Sequence, residues 1–272
     1  MVEKEPSQIV WGLVEGVEVL RHLAVRPGPV TGVSVARELG LSPVRVSRLL
    51  TTLRWMGIAR RDKSRRYTLG PGIHVLATQN LAASGLLQRV IRGLSPLLEH
   101  PYTVACGVLW RDQVTFLYFR SPGAQAIEGV RPWIGPATIS SIGLALLSHC
   151  SDDQIQSLYG GRSDIPGLYS TTDALMEAIA QIRETGHAIL RWDTHTSAAV
   201  PVGNPPYTAI ACSGFQTLDE ERQFLALLRD AAETIESEDR EEVETSDWDA
   251  EGFPFETPSD DPLGVMPTEV YV

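Results

Sequence analysis

The sequence has 272 residues, of which 43% are hydrophobic, and this is enough for two domains with separate hydrophobic cores. Its apolar runs are too short to span a membrane, and its first residues show no charged and then apolar secretion signal. We therefore expect a cytoplasmic protein with no membrane partner. The formal net charge of −11 would argue against a nucleic-acid partner if it were evenly spread, but it is not.

A helix is predicted near the N-terminal end of the chain. Apolar residues recur at helical spacing between residues 8 and 24, which is typical of a helix with one buried face. Gly12 and Gly16 interrupt this pattern, although glycine is a poor helix former. We therefore expect these two glycines to allow another backbone to pack closely against the helix.

Two further helices joined by a tight turn are predicted next. Thr31 can cap the first of them, and Gly40 can supply the left-handed turn that ends it. Ser42 and Pro43 start the second helix, with serine as N-cap and proline at the first helical position. The apolar residues of this second helix face inward. The outward face carries Arg45, Ser47, Arg48, Thr51 and Thr52. This pattern indicates a helix-turn-helix whose second helix can lie in the major groove of DNA.

A two-stranded hairpin is predicted after the second of these helices. Residues 58–60 and 66–69 have strand patterns, and residues 62–65 form a polar tip between them. Residues 1–70 contain 12 Lys and Arg against 6 Asp and Glu, so this wing can contact phosphates or a minor groove. The candidate DNA-contacting residues of the helices and the wing are Thr31, Ser42, Arg45, Ser47, Arg48, Thr51, Thr52, Arg60, Lys63, Arg65 and Arg66.

The rest of the chain alternates between helical and strand patterns. Helices are predicted at residues 73–83, 86–98, 140–147, 152–159 and 172–185. Strands are predicted at residues 103–110, 113–119, 187–190, 198–202 and 207–213. Thr217 and Glu220 form a capping box that opens a last helix. These elements predict a second domain with helices around a mixed sheet.

The C-terminal end is strongly acidic. Residues 219–272 contain 3 Lys and Arg against 18 Asp and Glu, and beyond residue 245 they are rich in proline and show no periodicity. We expect an acidic, disordered tail at residues 237–272. Two roles fit such a tail: it keeps the protein soluble, or it competes with DNA for the basic wing.

Four short motifs lie in order along the chain. They are GVEVL at residues 16–20, ARELGL at 36–41, VSRLL at 46–50 and RYTLGP at 66–71. In this order and at this spacing they resemble the IclR family of bacterial transcriptional regulators. The resemblance extends over roughly residues 8–236, clearly at the N-terminal end and faintly beyond it.

The resemblance implies an α+β protein made of several parts. They are a winged helix-turn-helix at 8–72, linker helices at 73–100 and a GAF-like effector-binding domain at 101–236, followed by the acidic tail. A protein of this kind would bind a double-stranded DNA operator as a homodimer or a dimer of dimers, paired in part through the first helix. An unknown small-molecule effector would change the spacing of the two DNA-binding heads.

The resemblance also places a ligand pocket around residues 135–147 and 191–197. The family usually has a histidine, a lysine and a cysteine in these regions, whereas this chain has Thr138, Leu144 and Ser197. Because Ile139 and Ile142 are apolar as well, we expect an uncharged or aromatic effector and not a small polar acid. The candidate effector-binding residues are Trp133, Thr138, Ser140, Ser141, Trp192, Ser197 and Cys212.

Several candidate residues also have ordinary structural explanations. Ser140 and Ser141 can cap a helix or bond within a turn. Cys212 lies in an apolar strand, where cysteine is commonly a core residue. Arg48 can pair with a carboxylate and support its helix without touching DNA. At the level of the whole protein, the alternatives are a protein-interaction module that has lost its ligand response and its operator, and a metabolite sensor that does not bind DNA.

The cysteine and histidine residues suggest neither a metal nor an enzyme. Cys106, Cys150 and Cys212 are odd in number and far apart, which fits a reducing compartment and no disulfide framework. No Cys or His pair has ligand spacing, so we expect no metal and no cofactor. His149 and His195 have no nucleophile or carboxylate beside them in a motif, and we therefore expect no catalytic residue.

Overall fold

The N-terminal domain consists of three helices and a small antiparallel sheet. The computed structural model describes residues 8–122, 134–167 and 169–245. The three helices are α1 (Trp11–Ala24), α2 (Gly32–Leu39) and α3 (Pro43–Trp55). The sheet has the strand order β1-β3-β2, with β1 at Val30–Thr31, β2 at Ala59–Arg61 and β3 at Arg66–Leu69. This is the winged helix-turn-helix arrangement expected from the sequence, with β1 as an additional short strand.

The predicted helix signals are all present in the helix-turn-helix. The Thr31 hydroxyl accepts the Ser34 N–H at 3.1 Å, and the Ser42 hydroxyl accepts the Arg45 N–H at 3.3 Å. Gly40 ends α2 in the left-handed conformation, with φ of 66°. Because these caps satisfy amides that the helices leave free, they fix where α2 ends and α3 begins.

Within this chain the two glycines of α1 have no closely packed neighbour, and packing of a second copy against them stays a prediction. A Cβ at Gly12 would meet no atom within 4 Å, and one at Gly16 would only reach Leu49 Cδ2 at 4.0 Å. The close approach lies at the end of the wing instead. A Cβ at Gly70 would be 2.3 Å from the Gly57 carbonyl oxygen, so the chain leaves the wing against the turn that follows α3.

Two helices connect the domains. They are α4 (Gly72–Ala83) and α5 (Leu86–Gly93), and a 3₁₀ turn at Ser95–Glu99 follows them. The predicted helix over 86–98 is therefore interrupted. Gly93 lies against the last helix, where an added Cβ would be 2.6 Å from Ile235 Cγ1, and Pro96 then starts the 3₁₀ turn.

Within the described residues the second domain is a six-stranded sheet with helices on both sides, which confirms the predicted α+β class. The strand order is β6-β5-β4-β9-β8-β7, and every neighbouring pair is antiparallel, so the expectation of a mixed sheet is wrong. Short hairpins account for three of these five pairs, because they join β4 to β5, β7 to β8 and β8 to β9. The likeness to a GAF domain stays a prediction. The strands are β4 (Thr103–Trp110), β5 (Gln113–Arg120), β6 (Ile134–Pro136), β7 (Ala188–Arg191), β8 (Thr196–Gly203) and β9 (Pro206–Phe215).

The helices of this domain divide between the two faces of the sheet. They are α6 (Ser141–Leu147), α7 (Asp152–Tyr159), α8 (Thr172–Thr185) and α9 (Leu218–Thr245). One buried cluster joins α6, α7 and α8 to the sheet, and a second joins α5 and α9 to its other face. Helix α9 continues beyond residue 236, where the tail was expected to start, because glutamate and arginine are good helix formers. Residues 246–272 and Trp133 lie outside the described residues.

Helix α6 packs against the preceding segment without room for a side chain at Gly143. A Cβ there would be 2.2 Å from the Ala137 carbonyl oxygen and 2.5 Å from its Cα. Both are backbone atoms, so neither can move aside cheaply. This contact fixes α6 on residues 137–139, and the residues at that junction line a cavity described below.

Gly143→Ala should therefore destabilise the second domain. We expect the free energy of unfolding to fall by at least about 2 kcal/mol, because overpacking against backbone forces the two segments apart. Gly12→Ala is the matched control, since it also lies in a helix but has no neighbour within 4 Å. The control should leave the free energy of unfolding unchanged or raise it by up to about 1 kcal/mol. Urea denaturation measures both variants, and equal stabilities would contradict the packing of α6.

Candidate DNA interface and ligand cavity

The outward face of α3 carries the predicted polar and basic side chains. Val46 and Leu50 are fully buried on its inner face, and this orients Arg45, Ser47 and Arg48 toward solvent. The Thr51 hydroxyl donates to the Ser47 carbonyl at 2.7 Å, and the Thr52 hydroxyl donates to the Arg48 carbonyl at 3.1 Å. All five residues therefore share one exposed helix face.

The two arginines of this face differ in their partners. Arg45 forms an ion pair with Glu15 of α1. Within the described residues Arg48 forms no ion pair, so the carboxylate partner considered for Arg48 is not found there. Both arginines line a cleft of about 460 Å³ between α1 and α3, together with Ser42 and Thr52. Arg48 is thus the cation that can approach a ligand of this cleft without first breaking an ion pair.

Some basic residues of the wing are held by neighbouring side chains, and others are exposed at its tip without an ion-pair partner among the described residues. Arg60 donates to the Thr68 hydroxyl at 3.1 Å, and Arg66 donates to the Asp62 carboxylate at 3.0 Å. The hydrogen bond from the Arg66 backbone amide is the main reason why the pKa of Asp62 is lowered. Lys63 and Arg65 at the tip are exposed and form no ion pair with any described residue. The tip therefore carries unneutralised positive charge, which is suited to phosphates.

A second cleft connects the wing to the helix-turn-helix. It has a volume of about 310 Å³, and the N-terminal ends of α2 and α3 form one wall of it. Its lining includes Thr31, Ser47, Arg61, Ser64 and Arg65. This cleft thus joins Thr31 and Ser47 of the helices to Arg65 of the wing, whereas Arg45 and Arg48 line the first cleft.

The second domain contains a cavity of about 390 Å³ between its sheet and α6. Most of its wall is apolar or aromatic. Phe116 and Phe119 stack there with ring centroids 5.9 Å apart. At the opening, Trp192 is 44% exposed and stacks on His195 with centroids 4.7 Å apart. The lining residues are Thr103, Ala105, Phe116, Phe119, Ile139, Ser140, Ser141, Ile142, Trp192, Ser197, Ala211 and Ser213.

Hydroxyl groups supply the polar part of the cavity wall. Thr103 lies opposite Ser213 in the sheet, and Ser213 lies opposite Ser197, so one row of hydroxyls crosses three strands. The Ser197 hydroxyl is 2.8 Å from the Ser141 hydroxyl on α6. Ser140 caps α6 and also lines the cavity, so the cap does not remove it from the candidate effector contacts. No lining residue within the described part of the chain has an ionisable side chain.

Two predicted effector contacts do not line this cavity. The Thr138 hydroxyl instead donates to the Pro166 carbonyl at 2.6 Å and is almost completely buried. Cys212 alternates with Ala211 and Ser213 along β9, so its side chain lies on the opposite face of the sheet. Burial raises the pKa of the Cys212 thiol to about 12. Both residues are therefore removed from the candidate effector contacts.

Sequence reasoning missed the residues that the sheet contributes to the cavity. The signal for Ala211 and Ser213 was available, because side chains alternate between the two faces along β9. Phe116 and Phe119 could not be found in this way. The register shifts between Cys106 and Gly107 on β4, and this bulge turns both phenylalanines to the same face of β5.

The N-terminal domain and the whole fold both have known relatives. Residues 12–63 match the family model described as the IclR helix-turn-helix domain. A candidate ICLR transcriptional regulator from a Silicibacter species is 21% identical, with a TM-score of 0.71 over 84% of this chain and 96% of that chain. An IclR family transcriptional regulator from Brucella abortus is 23% identical, with a TM-score of 0.71 over 88% of this chain and 95% of that chain.

A further relative was solved with a small molecule. It is an IclR homologue from Microbacterium hydrocarbonoxydans in complex with 4-hydroxybenzoate. It is 22% identical, with a TM-score of 0.61 over 85% of this chain and 99% of that chain. None of the curated proteins matches the chain. No helix within the described residues is long and apolar enough to cross a membrane.

The orientation of β9 predicts how the thiols react. Burial raises the pKa of Cys106 to about 11 and also raises the pKa of the half-buried Cys150. A raised pKa keeps a thiol protonated, and the thiolate is the reactive form. At pH 8 the folded protein should therefore react slowly with a chromogenic disulfide, at Cys150 alone.

All three thiols should react when the protein is unfolded in guanidinium, and Cys150→Ser should abolish the reaction of the folded protein. Rapid reaction at Cys212 would show that its side chain faces the cavity.

Proposed function

We propose that this chain, which carries an IclR helix-turn-helix domain at residues 12–63 and has the fold of IclR regulators, is a cytoplasmic transcriptional regulator. It binds a double-stranded DNA operator through its winged domain and a small-molecule effector through its second domain. It catalyses no reaction. The observation that carries the proposal is that α3 exposes Arg45 and Arg48 and the wing tip exposes Lys63 and Arg65. Ser47 of α3 and Arg65 of the wing line one cleft.

The winged domain supports a division of roles between α3 and the wing. Helix α3 lies in the major groove, where Arg48 contacts base edges and Arg45 does so after it leaves Glu15. Lys63 and Arg65 contact phosphates or the minor groove. Phosphate contacts contribute affinity for any DNA, whereas contacts to bases contribute specificity for the operator.

Substitutions on the two elements should separate affinity from specificity. The operator is first identified by sequencing the genomic fragments that the protein retains. Arg48→Ala and Arg45→Ala should each cost about 1–3 kcal/mol at the operator and relax specificity there. Arg65→Ala should weaken binding to all DNA alike and reduce the salt slope by about one. Fluorescence anisotropy over a salt series measures each effect.

Two control variants sharpen this experiment. Glu15→Gln removes the partner of Arg45, so it should tighten operator binding if Arg45 contacts DNA. Arg222→Ala removes an exposed cation at the start of α9, far along the chain from the winged domain, and should change nothing. Unchanged binding in Arg45→Ala, Arg48→Ala and Arg65→Ala together would refute the proposed DNA interface.

We also propose that two copies of the chain pair through α1 and α4. Helix α4 contains no charged residue and buries none of its side chains, and Val75 and Leu76 are more than half exposed. On α1, Trp11 and Leu13 are exposed as well. Exposed apolar residues on these two helices are suited to a second copy of the same chain. Pairing would place two α3 helices on successive half-sites of an operator, and sedimentation distinguishes a dimer from a dimer of dimers.

The cavity supports an uncharged, planar effector. Its described wall combines aromatic rings with hydroxyls, and it offers no cation to a carboxylate. Burying an unpaired carboxylate is costly, whereas hydroxyls can donate to or accept from a neutral ligand. A 4-hydroxybenzoate ion, which the Microbacterium homologue was solved with, would lack a charged partner among the described lining residues here.

A matched pair of probes tests the effector class. At pH 7.5, 4-hydroxybenzamide should bind at least tenfold more tightly than 4-hydroxybenzoate, which has the same shape but a negative charge. A ligand at about 100 times its Kd adds roughly 2.7 kcal/mol to stability, and thermal unfolding detects this. Binding should also change Trp192 fluorescence, and Trp192→Phe should remove that signal but keep the thermal shift. Tighter binding of the benzoate, or no binding of either probe, would contradict this effector class.

A protein-interaction module is the second candidate function. Trp55 and Met56, at the end of α3, are 81% and 58% exposed, and apolar side chains so exposed are suited to a protein partner. The genomic retention experiment distinguishes the two functions. A regulator enriches defined fragments, whereas an interaction module retains none.

A further inference from the structure

An ion pair joins the two domains. Arg111, in the turn between β4 and β5, contacts one carboxylate oxygen of Glu18 on α1. The other oxygen of Glu18 accepts two hydrogen bonds from Arg21, at 3.0 and 2.9 Å. Glu18 is therefore held in place by its own helix, and Arg111 meets a carboxylate that is already oriented.

Helix α1 also contacts α3 through a carboxylate. Glu15, three residues before Glu18, pairs with Arg45 of α3. Residues three apart on a helix are neighbours on its surface, so these two carboxylates lie next to each other on α1. One of them is tied to the DNA-binding face, and the other is tied to the second domain.

The turn that carries Arg111 is fastened to the wall of the ligand cavity. The carbonyl of Asp112 accepts the Ala137 N–H at 2.8 Å, and its carboxylate accepts Arg162 at 2.8 Å. Ala137 opens the segment 137–142, of which four residues line the cavity. Arg111 itself has a left-handed backbone with φ of 58°, and its guanidinium lies over the Trp110 ring at 5.6 Å. A displacement of this segment therefore reaches Arg111 through one hydrogen bond and one turn.

Little else among the described contacts fixes the two domains against each other. None of the three buried clusters combines residues of the winged domain with residues of the sheet domain. Domains without a shared core are expected to move relative to one another. This ion pair is half-exposed on the Arg111 side and largely buried on the Glu18 side. A partly exposed ion pair contributes modestly to fold stability, but it can decide between orientations that differ little in free energy.

We infer that Arg111 is a positioning residue for the DNA-binding face. It holds Glu18, and so fixes the direction of α1 and α3 relative to the cavity, and it transmits a change at residues 137–142 to α1. An effect of Arg111 on DNA binding rests on the proposed function. Its effect on the orientation of the domains does not, so the positioning role and the proposed function can be refuted separately.

Distances between spin labels on the two domains test this inference without DNA or effector. The labels are placed at Arg37→Cys on α2 and Glu177→Cys on α8, both exposed positions. The background carries Cys150→Ser, since Cys106 and Cys212 are buried. The full-length labelled chain is mixed with an excess of unlabelled chain, so that distances within one chain dominate. The parent should show one narrow distance in low salt, and high salt should broaden it.

Variants of the ion pair should remove this narrow distance. Arg111→Ala and Glu18→Gln should each broaden the distance distribution in low salt. The double variant should be no broader than either single variant, because both substitutions remove the same contact. Arg111→Lys should keep a largely narrow distance. Arg162→Ala should broaden it, because the turn then loses its anchor on the cavity domain. Arg222→Ala should match the parent.

The outcomes separate the possible failures. A narrow distance in Arg111→Ala, or additive effects in the double variant, would overturn the positioning role of Arg111. Operator binding of the same variants is measured separately by anisotropy. A broadened distance with no DNA binding even in the parent would support the positioning role and refute the proposed function.

Discussion

The burial of one face of each element decides what its other face can contact. Val46 and Leu50 are fully buried on α3, and this alone forces the arginines of that helix outward. On β9, Cys212 is buried in the core around α9, and its two neighbours therefore face the cavity. The basic face of α3 and the cavity of the second domain are thus two results of one constraint, which is that apolar side chains leave water.

Structural features set by residues close together in the sequence can be predicted well from the sequence. Caps, the left-handed glycine and the alternation of apolar residues are local, so the helix-turn-helix and most strands follow from the sequence. The character of the cavity wall could also be predicted in part from the sequence, with Ser141 and Ser197 for its hydroxyls and Ile139 and Ile142 for its apolar surface. Local signals cannot show which strands are neighbours, and this is why a mixed sheet was expected in place of an antiparallel one.

Features that depend on distant contacts were missed. Glu15 and Arg45 are thirty residues apart, and only the packing of α1 on α3 shows that Arg45 and not Arg48 is paired. The bulge between β4 and β5 reverses the alternation that would otherwise separate Phe116 from Phe119. The interruption between α5 and the 3₁₀ turn likewise reflects Ile235, from a helix that lies far along the chain.

In the proposed complex with DNA, the intrahelical hydrogen bonds of Thr51 and Thr52 would limit which bases these residues can distinguish. Their hydroxyl protons are engaged with the carbonyls of Ser47 and Arg48, so each hydroxyl has only lone pairs left for DNA. In the major groove, the groups that donate to a lone pair are the exocyclic amines of adenine and cytosine. Guanine and thymine present acceptors at the equivalent positions. In the proposed complex with DNA, Thr51 and Thr52 would therefore favour adenine or cytosine at the positions they contact.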